Sequence, residues 1–364
     1  METNAAVLRA ADGPYAMEKI TLPDPGAGEV LVRIVGAGMC HTDVLPRAGA
    51  AFVGPPIVTG HEGSGVVEAV GPGVTVIQVG DHVCLSFDSC GQCKSCQGGV
   101  PAYCVQFMAR NLSGVSVDGA IGGKDSTGAA VKTRWFGQSS FAEYCIATER
   151  NAVVVDKSLP LEKLGPLGCG VLTGAASIAV ALGFQAGSSL VVFGAGAVGL
   201  AAVMAAKVLE ASSIIAVDLQ EHRLEAATQF GATQTLNGGD SELVTKIQEI
   251  TGGGADYVFD TTGIPQVMSN AIAALRLGGK AGFVGVQRGD LVIGPSDQTG
   301  KAVFNILEGA TDPQTFIPQM IHWWQAGKFP FDKMIESFPM SQINEAEQAS
   351  LSGRTIKPVL IPDS

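Results

Sequence analysis

The apolar positions change period once along the chain. Through residue 170 or so, short runs alternate apolar and polar positions between Gly and Pro, as in EVLVRIVGAG, GSGVVEAVG and GDHVCLSF. A period of two bounded by turn residues predicts half-buried strands. This half is expected to be a mostly β, barrel-like domain. From LGPLGCGVLTGAASIAVAL onward, strands and helices alternate. SSLVVFGAG, SIIAVD, ATQTLN, ADYVFDTTG and KAGFVGV read as strands. AVGLAAVMAAKVLEA, QEHRLEAATQFG, SELVTKIQEITG and PQVMSNAIAALRLG read as the helices between them. Short apolar strands separated by helices predict an α/β unit, a doubly wound parallel sheet covered on both faces.

A last segment carries a helix around TFIPQMIHWWQAG, then MSQINEAEQASLSG, then a strand in TIKPVLI. It is expected to return to the first domain. The division is a catalytic domain of 1–170 and 308–364 and a second domain of 171–307, with the active site expected between them. The sheet should end in an exposed edge near VIGPSDQTGKAVFNILEG. An open edge invites pairing with a second copy, so a homodimer or homotetramer is expected.

Composition narrows the partners. With 364 residues, 46% hydrophobic and 16% charged, two cores can be buried. The net charge of -11 argues against nucleic acid and anionic membranes. No apolar run reaches the roughly 18 residues of a membrane span. The start, METNAAVLRAADGPYAMEKI, lacks the basic and apolar regions of a secretory signal. Eight cysteines in such a chain suggest thiolates on metal in a reducing cytoplasm rather than disulfides.

Seven metal-type residues fall into two sets. Cys90, Cys93, Cys96 and Cys104 read C-x2-C-x2-C-x7-C. Four thiolates close a tetrahedral shell around Zn2+, which makes a structural site. Cys40, His61 and Cys169 offer three ligands and leave a fourth position for water or substrate, as a catalytic zinc requires. Cys84 and Cys145 lie in apolar strand-like runs and are expected to be buried, inert thiols.

A dinucleotide fingerprint opens the second domain. Gly194-Ala195-Gly196-Ala197-Val198-Gly199 is G-x-G-x-x-G between a strand and a helix, and a second strand ends at Asp218, 19 residues beyond Gly199. Gly194 makes the tight turn, Gly196 admits the pyrophosphate, and Gly199 permits close helix–strand packing. Asp218 accepts hydrogen bonds from the adenosine ribose, and its charge repels a 2'-phosphate, so NAD is favoured over NADP. Arg223 leans over the same ribose or attracts a 2'-phosphate; with Asp218 present the first is favoured.

Gly60-His61-Glu62-Gly63-Ser64-Gly65 with Gly71, Cys40-His41-Thr42-Asp43, the four-cysteine lobe and Leu167-Gly168-Cys169-Gly170 follow one order and spacing. In these the chain resembles the zinc-dependent medium-chain alcohol dehydrogenases over nearly its whole length. Within that family GMCHTD, GHEGSG, PLGCG and the closing FPFD…IN…KP are most similar to bacterial aryl-alcohol (benzyl-alcohol) dehydrogenases. The resemblance implies a GroES-like catalytic domain beside a Rossmann domain and two Zn2+ per subunit. It implies hydride transfer between NAD and an alcohol or aldehyde. The family's catalytic zinc is itself a standard instance of the Cys2His set.

The resemblance also implies roles. Thr42 takes the alcohol proton and passes it to the nicotinamide ribose. Asp43 orients a zinc ligand, His61. Glu62 stands behind the metal. Thr173, Val198 and Val286 join the glycines on the cofactor side. His41 falls where family members carry an arginine facing the pyrophosphate, and a mostly neutral histidine implies a looser hold. Lys357 stands where a cation near the pyrophosphate is expected. Leu45 replaces the histidine that completes the proton relay in many members, so the relay ends at the ribose and water. Arg47 is either a neighbour of the nicotinamide or a surface arginine.

Leu45, Phe52, Phe87, Met108 and Val286 are candidate pocket walls. Such a lining selects by shape and apolar burial, which suits a small apolar alcohol or aldehyde, aromatic or allylic. Sugars would leave hydroxyls unpaired. The loop NLSGVSVDGAIGGKDSTGAAVKTRW belongs either to the pocket mouth or to a subunit contact. Competing readings are an NADPH-linked aldehyde reductase, a formaldehyde–thiol adduct dehydrogenase, and a non-enzymatic NAD- or zinc-binding protein. Asp218 opposes the first. The second lacks a cationic pocket, and the intact zinc set opposes the third.

Overall fold

The alternating run EVLVRIVGAG forms the longest strand, Glu29–Gly38, and the first unit is built around it. In this computed structural model, which describes residues 1–48 and 53–363, that strand pairs antiparallel with Glu62–Val70 along one side. Along its other side it pairs with Tyr144–Thr148 and Lys357–Ile361. The seven-stranded sheet continues outward through His82–Leu85 and Ala152–Val155 at one end and Ile335–Pro339 at the other. A five-stranded sheet follows the order Ile57–Val58, Glu2–Leu8, Tyr15–Thr21, Gly123–Asp125, Ala130–Val131. The loop NLSGVSVDGAIGGKDSTGAAVKTRW thus contributes a small hairpin to this sheet.

Register in the longest strand is shifted between Leu31 and Val32 and again between Ile34 and Gly36. Such irregularities bend a strand and re-aim its side chains. Where the backbones close in, no side chain fits: a Cβ on Gly38 would lie 2.1 Å from the Glu62 carboxylate. This mostly β unit comprises Met1–Cys169, Asp312–Pro318 and the described residues from Asp332 onward.

The second unit, Gly170–Thr311 with Gln319–Phe331, contains a six-stranded sheet, parallel throughout. Its order is Gln234–Asn237, Ser213–Asp218, Ser189–Phe193, Ala255–Asp260, Leu275–Phe283, Ala302–Asn305. In chain order this is 3-2-1-4-5-6, the doubly wound arrangement. The middle strands are buried along most of their length because helices cover both faces. Val191, Phe193, Ile215, Val217, Val258 and Phe283 are buried in one core cluster with Ile247, Met268 and Ile272 from the helices.

The pattern PQVMSNAIAALRLG reads as one helix, but the helix is Pro265–Ala273 and the strand starts at Leu275. Parallel pairing of Leu275 with Ala255 takes over from the helical period. The closing segment also divides. Strands Ile335–Pro339 and Lys357–Ile361 join the first unit, whereas Gln319–Phe331 packs with the second. There Trp323 meets Phe329, with ring centroids 5.9 Å apart, and Trp324 meets Phe331 at 5.2 Å. Among the described residues, the Ala302–Asn305 strand has a neighbour on one side only.

None of the eight cysteines is in a disulfide. Burial pushes the Cys145 thiol up to about 12 and Cys84 higher still, because a thiolate in an apolar surrounding loses its hydration. Both should therefore resist iodoacetamide at pH 8 in the zinc-loaded protein and react once urea unfolds it, as read by mass spectrometry of the alkylated peptides.

Candidate active site

His61 is the residue just before strand Glu62–Val70, and Cys40 lies two residues beyond strand Glu29–Gly38. Cys169 sits between the short helices Gly165–Gly168 and Gly170–Ala176. These elements bring the ligand atoms of Cys40, His61 and Cys169 within 4.8 Å of one another. His61 Nε2 is buried and has no hydrogen-bond partner. The Cys40 thiol is held well below the usual range, first by a hydrogen bond from Cys169 and then by the charge of His61, against burial. Burial disfavours a charged His61, yet Asp43 and Cys40 hold its pKa well above the ordinary value. Surroundings that lower a thiol and raise an imidazole favour positive charge between them. With an orphaned ring nitrogen and two sulfurs, the donor set fits zinc.

Asp43 organises this cluster. Its Oδ1 accepts from Gly60 N at 2.8 Å, His61 Nδ1 at 2.8 Å and Trp135 Nε1 at 3.2 Å. Its Oδ2 accepts from Cys40 N at 3.1 Å. Bonding at Nδ1 turns the other ring nitrogen of His61 toward the sulfurs. Gly60 reaches this geometry with φ +89°, and a Cβ there would lie 2.5 Å from Phe141. Gln138 fixes the backbone beside His61. Its Nε2 donates to the His61 and Ser86 carbonyls at 3.0 Å, and its Oε1 accepts from Gly63 N at 3.0 Å.

Phe136 stacks on the His61 ring at 4.4 Å, nearly parallel at 24°. It has φ +51°, an uncommon value for a bulky residue. Phe107 meets Phe136 edge-on at 6.3 Å, and Phe87 lies 5.7 Å from Phe107. The pattern of the sequence did not single out Trp135, Phe136 or Gln138. They share one loop, in RWFGQSSF, and only three-dimensional closure brings that loop to His61.

Other expected residues fall as follows. Thr42 Oγ1 lies 3.7 Å from Cys40 Sγ. Leu45 is half-buried in the 3-10 segment His41–Ala48, and His41 is exposed. Arg47 resolves as a structural arginine: it pairs with Glu347 at 2.8 Å and lies over the Tyr15 ring at 4.8 Å. Phe87 is buried. Met108 is 44% exposed. Successive helix residues point in different directions, and in Phe107–Asn111 it is Phe107 that joins the aromatic cluster. Phe52 lies outside the described residues.

Lys357 pairs with Glu62. It is buried, and its ammonium donates to both oxygens of Glu62 at 2.9 Å and to the Met39 carbonyl at 3.1 Å. These contacts tie the ammonium to two partners of the first unit. Burial would lower the lysine, but the Glu62 charge holds it raised and protonated. Glu62 is itself pushed up by burial. Losing either partner of such a pair costs about 3–5 kcal/mol.

The four-cysteine lobe brings the sulfurs of Cys90, Cys93, Cys96 and Cys104 within 4.8 Å of one another. Backbone N–H groups of Gln92 and Cys93 donate to Cys90 Sγ, and those of Cys90 and Gln106 to Cys104 Sγ. Such bonds suit a closed thiolate shell. Buried Asp88 anchors the lobe, accepting from Arg110 at 2.7 Å and from Thr148 at 2.9 Å.

In the second unit, Gly194 adopts φ +92° and Gly196 faces open space, while a Cβ on Gly199 would collide with the Gly194 carbonyl at 1.8 Å. Asp218 accepts from Ala195 N at 2.8 Å and from Gln220 N at 2.9 Å. Arg223 approaches Asp218 at 3.8 Å. A Cβ on Gly174 would meet the Val198 carbonyl at 2.0 Å, so helix Gly170–Ala176 packs tightly on the fingerprint helix. Thr173 Oγ1 donates to Glu308 at 3.2 Å. Val286 is 55% exposed.

Residues 26–157 match the description "Alcohol dehydrogenase GroES-like domain", and residues 197–325 match "Zinc-binding dehydrogenase". The chain belongs to the zinc-binding alcohol dehydrogenase family. It is an oxidoreductase with a GroES-like domain and a Rossmann-type domain. It is 45% identical to geraniol dehydrogenase of Castellaniella defragrans, over 99% of this chain and 98% of that one. The crystal structure of an alcohol dehydrogenase zinc-binding domain protein from Burkholderia ambifaria superposes with TM-score 0.97 at 45% identity, covering 100% of both chains. That of benzyl alcohol dehydrogenase from Acinetobacter calcoaceticus superposes with TM-score 0.96 at 42% identity, again over 100% of both. No single helix among the described residues is long and apolar enough to cross a membrane.

The Asp43 hub has a measurable consequence. Asp43→Ala should weaken zinc binding at the Cys40–His61–Cys169 set by about 10–100-fold while sparing the four-cysteine set. Chelator competition should then strip one zinc per chain early and leave the other.

Proposed function

We propose that this family member oxidises apolar primary alcohols, aromatic or allylic, to aldehydes with NAD, and runs the reverse reaction. The observation that carries the reading is the Phe136 ring stacked on His61 at 4.4 Å, with Phe107 and Phe87 beside it. A buried aromatic lining next to the Cys2His set suits a planar apolar substrate. It offers polyol hydroxyls no partners. The names of two relatives, geraniol dehydrogenase and benzyl alcohol dehydrogenase, support the same substrate class.

Cys40, His61 and Cys169 hold the catalytic zinc, and Cys90, Cys93, Cys96 and Cys104 the structural one. When bound, zinc supplies Lewis acidity that lowers the pKa of the alcohol, and NAD supplies the hydride acceptor. Thr42 Oγ1 would receive the alcohol proton and pass it toward water, since Leu45 has no titratable group. Asp43 keeps His61 oriented, and Glu62, tied to Lys357, holds negative charge behind the set. Gly194, Gly196, Val198 and Gly199 form the pyrophosphate turn. Asp218 takes the adenosine ribose, and Arg223 stays paired with that carboxylate rather than with a 2'-phosphate. Thr173 and Val286 stand on the nicotinamide side, and His41 on the pyrophosphate side. The reduced cysteines and net charge fit a cytoplasmic protein.

Comparing kcat/KM with NAD across benzyl alcohol, geraniol, ethanol and sorbitol tests this. Benzyl alcohol and geraniol should exceed ethanol by more than about tenfold, roughly 1.4 kcal/mol of transition-state binding. A flat profile, or a preference for sorbitol, contradicts the substrate assignment. Activity with NADP equal to that with NAD contradicts the role of Asp218.

The open strand Ala302–Asn305 supports assembly into a dimer or tetramer through that edge. Leu277, Val292 and Phe304, from nearby segments, are exposed apolar residues. Phe304→Lys should shift the sedimentation coefficient toward the monomer without unfolding the chain.

A further inference from the structure

The neck of the four-cysteine lobe carries an aromatic ring on each side. Phe87 stands three residues before Cys90, and Phe107 three residues after Cys104. The two rings lie 5.7 Å apart, and Phe107 meets Phe136 edge-on at 6.3 Å. Apolar burial is non-directional, so it brings such rings together without fixing their register.

One polar side chain supplies that register. Asn111 ends the helix Phe107–Asn111 and is fully buried. Its Oδ1 accepts from Asp88 N at 2.8 Å, and its Nδ2 donates to the Asp88 carbonyl at 2.9 Å. This is the two-bond exchange of an antiparallel strand pair, with a side-chain amide in place of one peptide. The other hydrogen of Nδ2 goes to the Phe107 carbonyl at 2.8 Å. Both donors of the amide are thereby used. Each bond ends on a residue that carries one of the rings or adjoins it, since Asp88 follows Phe87. Arg110 adds a bond to the Asp88 carboxylate at 2.7 Å, so one short helix grips Asp88 by backbone and side chain together.

We propose that Asn111 is a positioning residue for substrate choice: through Asp88 and Phe107 it fixes the spacing of the two rings, and with it the shape of the aromatic lining beside His61. It acts through Phe87 and Phe107 rather than on the substrate. Supporting groups of this kind matter because a misplacement of about 1 Å can cost on the order of 100-fold in rate. This rests on the substrate reading above.

The test uses the zinc-loaded full chain. With NAD, kcat and KM are measured for benzyl alcohol and ethanol in the wild type, Asn111→Ser, Asn111→Asp, Phe107→Leu, and the double variant of Asn111→Ser with Phe107→Leu. Asn111→Ser leaves a hydroxyl and room for water, and Asn111→Asp keeps the acceptor but loses both donors. Asn111→Ser should lower the ratio of kcat/KM for benzyl alcohol over ethanol at least about fivefold, chiefly through a raised KM for benzyl alcohol. Asn111→Asp should lower the ratio in the same direction. Phe107→Leu should lower it too, and adding Asn111→Ser to Phe107→Leu should lower it by no more than about a further twofold. An equal fall for both alcohols in the Asn111 variants, with the ratio kept, assigns Asn111 a structural role and overturns the proposal. Full additivity in the double variant overturns it as well, as does failure of both single Asn111 variants to fold. A wild type without preference for benzyl alcohol overturns the substrate reading instead, and the proposal with it.

Discussion

The Asp43 carboxylate is the constraint on which the first unit's chemistry depends. It is 1% exposed and accepts four hydrogen bonds, from Cys40 N, Gly60 N, His61 Nδ1 and Trp135 Nε1. Those donors come from three separated stretches of chain. A buried carboxylate with fewer partners would carry a large desolvation cost. Satisfying it therefore specifies where each stretch must lie, and two of the proposed zinc ligands are placed as a consequence. The same bond that orients His61 keeps its second nitrogen free for metal, so folding and metal chemistry share one interaction.

Around this hub, charges of both signs are buried within a few residues of the thiols. Lys357 neutralises Glu62 from behind, and both are almost inaccessible to water. An isolated charge at that depth would be expelled or neutralised. As a matched pair they adjust the field at Cys40 without blocking it. Beside His61 the surroundings are aromatic, with Phe136, Phe107 and Phe87 all buried.

Much of this was legible in the sequence for a physical reason. The four ligands of the closed set cluster by covalent spacing, and C-x2-C-x2-C survives without knowledge of the fold. The dinucleotide turn is likewise local, since Gly194, Gly196 and Gly199 act within one strand–helix junction. Apolar periodicity revealed the parallel strands because each is buried on both faces. What escaped depends on loops meeting across the fold. Phe136 stacks on a histidine 75 residues earlier in the chain, and no period or spacing encodes that. Lys357 read as a cofactor cation because its charge is visible in sequence while its partner, Glu62, is not. Met108 and Phe107 are both apolar, and only the helix rotation decides which faces the aromatic cluster.

The central claim is that the chain builds one closed and one open zinc centre, of four sulfurs and of two sulfurs with one imidazole. X-ray absorption at the zinc edge, with metal analysis of the purified full chain, tests it most directly. The expected result is two zinc ions per chain with an averaged shell of three sulfurs and a light-atom contribution carrying imidazole scattering. A single zinc with an all-sulfur shell, retained in Cys40→Ser and lost in Cys93→Ser, would contradict it.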